Sequence, residues 1–142
     1  MASTNTLQVI ENGFRNVVLR ATQVSDGTDG ESVTVFNATS SGSFGVNKGG
    51  QVFYPGIYTK LVGLWYDVQD CKVALRWEAT ADQDVLVLGQ APEDFDFRSF
   101  GGVPVPSGLV GATGSLKVVT LGPVVGATYS MIIRLRKNVP QS

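Results

Sequence analysis

The chain has no histidine and only one cysteine. Without an imidazole, neither a Ser-His-Asp nor a Cys-His arrangement can be assembled, and the commonest nitrogen ligand for zinc, copper or iron is missing. Cys71 has no partner for an internal disulfide, and a free thiol fits a reducing compartment. No stretch approaches the ~18 apolar residues of a membrane-spanning helix. The start, Met1-Ala2-Ser3-Thr4-Asn5-Thr6, has neither the basic residues nor the apolar run of a secretion signal, so the expectation is a chain made and kept in a cytosol, or released from one by lysis. Charge of one sign is not in excess either. Eleven Lys and Arg against twelve Asp and Glu leave a formal charge of −1, too balanced for a phosphate-neutralising surface, so neither nucleic acid nor membrane is an expected partner.

What the chain does have is length for one core, 43% hydrophobic residues, 17 glycines between apolar runs, and an apolar period of two almost throughout. This pattern predicts an all-β fold: a single-domain antiparallel β-sandwich, jelly-roll-like, of eight or nine strands, without an amphipathic helix. The expected organisation is a flexible N-terminal arm over residues 1–6, the sandwich over 7–137, and a C-terminal tail over 138–142. Asn12-Gly13 between Leu7–Ile10 and Phe14–Val24 predicts a hairpin or bulged corner, because both residues tolerate the positive φ of a type I′ turn. In Lys72–Ala79, Val73, Leu75 and Trp77 alternate with Lys72, Ala74 and Arg76, which makes Trp77 an expected core anchor facing the other sheet. Tyr129, Met131, Ile133 and Leu135 repeat the pattern in the last strand. Ser40–Gly56 and Gly101–Gly114, rich in glycine and proline, are expected to be long surface loops.

The candidate chemistry is sparse. Cys71 lies beside Asp70 and Lys72, where a lysine could lower its pKa, but the plainer reading is a small residue at a strand start. Asp82, Asp84, Glu93, Asp94 and Asp96 form the densest acidic region, and paired carboxylates are what glycoside hydrolysis requires. Alternation nevertheless predicts Asp94 and Asp96 as a solvated face over a buried Phe95 and Phe97. Asp26, Asp29 and Glu31 offer oxygen ligands for calcium, although their spacing misses the EF-hand loop and a tight turn explains them equally well. Gly42–Gly49 brushes against a phosphate-binding loop but lacks the second glycine, the hydroxyl after the lysine and the following helix. Arg134, Arg136 and Lys137, joined by Lys117, could form a basic stripe on one sheet, or charge that guards an exposed edge. Asn37-Ala38-Thr39 matches a glycosylation sequon, which has no consequence without secretion. The residues thus specify a scaffold for contact with other proteins, with no enzyme activity and no cofactor or metal expected.

Four stretches carry a resemblance: Gln8-Val9-Ile10-Glu11-Asn12-Gly13-Phe14-Arg15-Asn16-Val17-Val18-Leu19, Trp77-Glu78-Ala79-Thr80, Asp96-Phe97-Arg98-Ser99-Phe100-Gly101-Gly102 and Gly111-Ala112-Thr113-Gly114. Through them the chain resembles small virion structural proteins of tailed bacteriophages, and within that group most of all the capsid decoration, or cement, proteins. The resemblance implies a β-sandwich that trimerises on the outer capsid surface and braces the major capsid protein, with no catalytic residues. The expected contact parts are the arm and the loops Ser40–Gly56 and Gly101–Gly114, with Phe44, Phe53, Tyr54 and Leu109 as contact side chains; the alternative for these is capping of the sandwich's own core ends. A head fibre, tail or adhesin component is the competing expectation, touching a host-surface glycan through Trp65 and Tyr66.

Overall fold

The computed structural model describes residues 3–13, 15–39, 44–48, 50–89 and 92–137. Among these, twelve strands follow in order: β1 (Thr4–Asn12), β2 (Asn16–Val24), β3 (Glu31–Phe36), β4 (Val46–Lys48), β5 (Gln51–Phe53), β6 (Lys60–Gln69), β7 (Lys72–Trp77), β8 (Gln83–Leu88), β9 (Glu93–Asp96), β10 (Val103–Pro104), β11 (Leu116–Leu121) and β12 (Thr128–Arg136). Single 3₁₀ turns at Gly56–Tyr58 and Arg98–Phe100 are the described helical pieces. The first sheet runs β1-β2-β12-β6-β10, with β9 also paired to β6; the second runs β3-β11-β7-β8; β4 and β5 form a separate hairpin, and every pairing is antiparallel.

Eight of these strands make a jelly roll. In chain order β2, β3, β6, β7, β8, β9, β11 and β12, the chain changes sheet at each step except β7 to β8, giving the orders β2-β12-β6-β9 and β3-β11-β7-β8. The all-β sandwich expectation is met. The count is twelve instead of eight or nine because β4, β5 and β10 are two- or three-residue pieces inside stretches whose glycines and prolines read as loop.

Alternation builds the core. Val17, Leu19 and Ala21 of β2, Tyr129, Met131, Ile133 and Leu135 of β12, and Leu64, Tyr66 and Val68 of β6 face Val73, Leu75 and Trp77 of β7 and Leu116 and Val118 of β11, all buried in one cluster. The register lines up Leu19, Ile133 and Leu64 across three strands. Trp77, 1% exposed, is the largest fully buried side chain, and burial of this kind stabilises by roughly 2–3 kcal/mol per large apolar group.

Three expectations are corrected. Residues 4–6 do not form an arm: Thr4, Asn5 and Thr6 pair with Val24, Gln23 and Thr22 in β1, because the edge of β2 offers them backbone partners despite their polar side chains. Met1, Ala2 and the expected tail at 138–142 lie outside the described residues. The Asn12-Gly13 hairpin forms, but Asn12 pairs with Val17 and Gly13 N–H donates to the Asn16 carbonyl at 2.9 Å. The connection thus has four residues, and Gly13 does not take a positive φ. Finally, the aromatics at β9 are not fully buried: Phe95 is 36% exposed and Phe97, just after the strand, is partly buried against the core, since β6 is the one described strand paired with β9.

Candidate functional site

At one end of the roll, four connections are fastened together. Ala38 N–H donates to Ser115 Oγ and Gly56 N–H to the Ala38 carbonyl, each at 3.0 Å. Glu78 N–H donates to the Ser115 carbonyl at 2.9 Å, Thr113 N–H to the Glu78 carbonyl and Thr80 N–H to the Val110 carbonyl, the last two at 3.1 Å. Gly114, at φ +81°, lies so close to Gly56 that a Cβ would run into the Gly56 carbonyl. A backbone unit results, on which Ile57, Tyr58 and Val110 are 52%, 51% and 75% exposed.

The four expected contact residues are less exposed than these three. Phe44 is buried, its ring 4.6 Å from that of Phe36, so it caps the molecule's own core. Leu109 is partly buried against the same core, and Phe53 and Tyr54 are half-buried around the β4–β5 hairpin. Sequence reasoning missed Ile57, Tyr58 and Val110. The available signal was Pro55-Gly56 before Ile57 and Gly108 and Gly111 around Val110, which place apolar residues at turns where no strand face can absorb them.

The opposite end is fastened in the same way. Ser25 N–H donates to the Ala127 carbonyl at 2.7 Å, Gly126 N–H to the Ser25 carbonyl at 2.9 Å, Gly30 N–H to the Thr120 carbonyl at 2.8 Å, and Gly122 N–H to Asp29 Oδ1 at 2.7 Å. Val124 and Val125 are left exposed there. The carboxylates considered for calcium are directed to separate donors: Asp26 accepts from Thr28 N–H, Asp29 from Gly122 N–H, and Glu31 from Gln23 Nε2 and Ser3 Oγ. The hydrogen bonds from Thr28 hold the Asp26 carboxyl below its usual range.

The acidic stretch separates in the same manner. Asp96 forms a two-pronged pair with Arg98, at 3.0 and 2.8 Å, which holds its carboxyl down at about 2; Asp84 pairs with Arg76 at 2.6 Å across β7 and β8. Asp82 accepts from Ala79 N–H and from Lys117, which together lower its pKa. Lys117 therefore stands on the second sheet beside Asp82, and no stripe joins it to Arg134, Arg136 and Lys137. Arg134 and Arg136 lie in β12, a central strand, so these charges do not guard an edge. Lys137 Nζ donates instead to Asn12 Oδ1 at 2.7 Å. Burial, with Asp70 second, raises the Cys71 thiol, opposite to the lowering that Lys72 suggested.

Trp65 and Tyr66 point to opposite faces. Tyr66 is buried, its ring 5.9 Å from that of Phe95. Trp65 is half-buried on the open face of the first sheet, in a cross-strand row with Gln8, Arg20, Ile132 and Asp94. No family model matches the chain, and neither a curated protein nor a solved structure matches it. What the geometry offers is therefore surface: two ends with fixed backbone and exposed apolar side chains, and one open sheet face that is mostly polar.

Proposed function

We propose that the chain is a structural virion protein of a tailed phage, a decoration protein that binds the outer capsid surface as a homotrimer and stabilises the shell without catalysing a reaction. The observation that carries this reading is the fastened end with Ile57, Tyr58 and Val110 exposed. A surface whose backbone is already fixed loses little conformational entropy on docking, so a small apolar contact retains more of its binding energy. Three copies acting together raise avidity by roughly 10² to 10⁴ over a single contact. Its partners in this reading are the major capsid protein and other copies of itself; nucleic acid, membrane and cofactor have no part.

The test uses capsids assembled without the protein. Wild type should co-sediment with them and add density at the outer surface in electron micrographs. Ile57→Asp combined with Val110→Asp should abolish both while leaving the melting temperature unchanged. Equal binding by the double variant, or no binding by wild type, would end the proposal. A head-fibre or adhesin role draws its support from Trp65, which stands on the open face between Ile132 and Asp94 and supplies a stacking ring with a carboxylate beside it. That reading expects a glycan to quench Trp65 fluorescence and Trp65→Ala to lose glycan binding.

A further inference from the structure

The longest free edge of the molecule is also its least protected. β1 spans nine residues and every one of them is exposed. It lies at the end of the first sheet, with β2 on one side and, among the described residues, no strand on the other. Leu7 and Val9 sit opposite Ala21 and Leu19, on the side of the sheet that faces the core. Yet each is 45% exposed, at the outermost strand of the sheet. Other edges carry the usual deterrents. β3 and β8 hold Glu31 and Asp84 and have bulged ladders, β9 has four residues of which Glu93, Asp94 and Asp96 are acidic, and β10 has two residues including Pro104. In β1 the one charge is Glu11, and the one bulge is at Ile10, near its end.

We propose that β1 is an interface for a second copy of this chain, pairing antiparallel with β1 of that copy about a two-fold axis through Gln8 and perpendicular to the sheet. Such an axis keeps the core-facing sides of the two sheets together, and residues directly opposite must then share a face. That condition restricts the axis to a residue position. With Gln8 on the axis, Leu7 lies opposite Val9 of the second copy and Val9 opposite its Leu7, making one four-residue apolar patch. With Leu7 on the axis, Val9 would face Asn5; with Val9 on it, Leu7 would face Glu11. The Gln8 register alone pairs apolar with apolar on both sides, and it centres the ladder on Thr6–Ile10. The two Glu11 side chains then fall at opposite ends, about 20 Å apart by strand rise and well beyond the screening length at physiological salt. A partner strand rich in charge would not match this edge; the chain's own β1 does.

The pairing does not rest on the virion reading, and the two can fail separately. Gln8→Cys in the full chain should give a disulfide-linked dimer under mild oxidation, because the two thiols meet at the axis. Thr4→Cys should not, since its two copies stand about 27 Å apart along the ladder. The wild type should sediment as two chains, or as six if trimers also form. Val9→Lys, which places a charge against the second copy's Leu7, should weaken association roughly tenfold or more while leaving the far-ultraviolet circular dichroism spectrum unchanged, Val9 being exposed in the single chain. Gln8→Cys that remains uncross-linked, Thr4→Cys that cross-links as well, or a wild-type mass of one or three chains would overturn the proposal. A trimer without the Gln8 cross-link would leave the capsid reading standing, and a cross-linked dimer that ignores capsids would do the reverse.

Discussion

The side-chain amide of Gln23, 2% exposed, donates to Asn5 at 2.6 Å and to Glu31 at 2.8 Å and accepts from the Thr120 hydroxyl at 2.7 Å. It thereby joins β1, β2, β3 and β11 at the place where the two sheets meet over polar side chains. Gln23→Ala leaves the buried Thr120 hydroxyl and the inward Glu31 oxygen without this partner and should cost about 2–3 kcal/mol, read from the denaturation midpoint. Trp77→Ala should cost about 3–5 kcal/mol by transfer and cavity together. An unchanged midpoint in either variant would contradict the packing described. Tyr129 supplies a pH dependence. Burial, helped by nearby Glu31, pushes its phenol up to about 12. The folded state therefore holds this proton more tightly than the unfolded chain, whose phenol titrates near 10. Its contribution to stability is complete below pH 10 and is lost as pH rises from 10 towards 12. Phenolate absorbance should show Tyr129 among the late-titrating tyrosines, and Tyr129→Phe should remove that late component. If all four tyrosines of the folded protein titrate together near their ordinary pKa, the burial is wrong.

At the scale of elements, strands with a clean period of two were legible and the rest was less so. Val73, Leu75 and Trp77 in β7 and Tyr129 to Leu135 in β12 announce their buried face, because a half-buried strand leaves that signature in the sequence itself. Thr4-Asn5-Thr6 does not, since β1 is a strand by virtue of the edge of β2 and not of its own side chains. The β4–β5 hairpin was likewise hidden, with three residues on each side and glycines around them. The two expectations for Phe44, partner contact or a cap on the core, could not be separated in the sequence for a related reason. An aromatic in a glycine-rich stretch reads as exposed until Phe36 is seen to lie against Phe44. Glycines at the loops can be told apart by what surrounds them. Gly114→Ala should cost about 3 kcal/mol or more, because a Cβ meets the Gly56 carbonyl and the fastened end must shift. Gly50→Ala, also at positive φ but in open space, should cost only the ~1–2 kcal/mol of a left-handed alanine. Equal losses in the two variants, measured by chemical denaturation, would show that the end is not fastened as described.

For the whole molecule, the class of fold followed from composition and periodicity, whereas the order of strands did not, because the roll is defined by pairings distant in sequence. Leu19 meets Ile133, and Phe36 meets Leu116. Both sheets contribute to one cluster, so they should unfold together. Trp65 lies on the open side of the first sheet and Trp77 inside the second, giving two local reporters of one event. Fluorescence and far-ultraviolet circular dichroism should trace coincident transitions with denaturant; separated midpoints would mean that the sheets are independent units.

The central position of β12 bears on biosynthesis. Thr128–Arg136 occupies the slot between β2 and β6, so β2, made early and paired to β1 alone, has its inner edge open until residues made more than a hundred positions later emerge from the ribosome. A nascent chain with that slot vacant shows two unpaired edges and half a core, and closing pairs so remote is slow. Productive folding is thereby deferred until translation has passed Arg136. The free β1 edge, displayed at the same time and already hydrogen-bonded to β2 through a local hairpin, makes this interval the one in which copies are most exposed to pairing out of register.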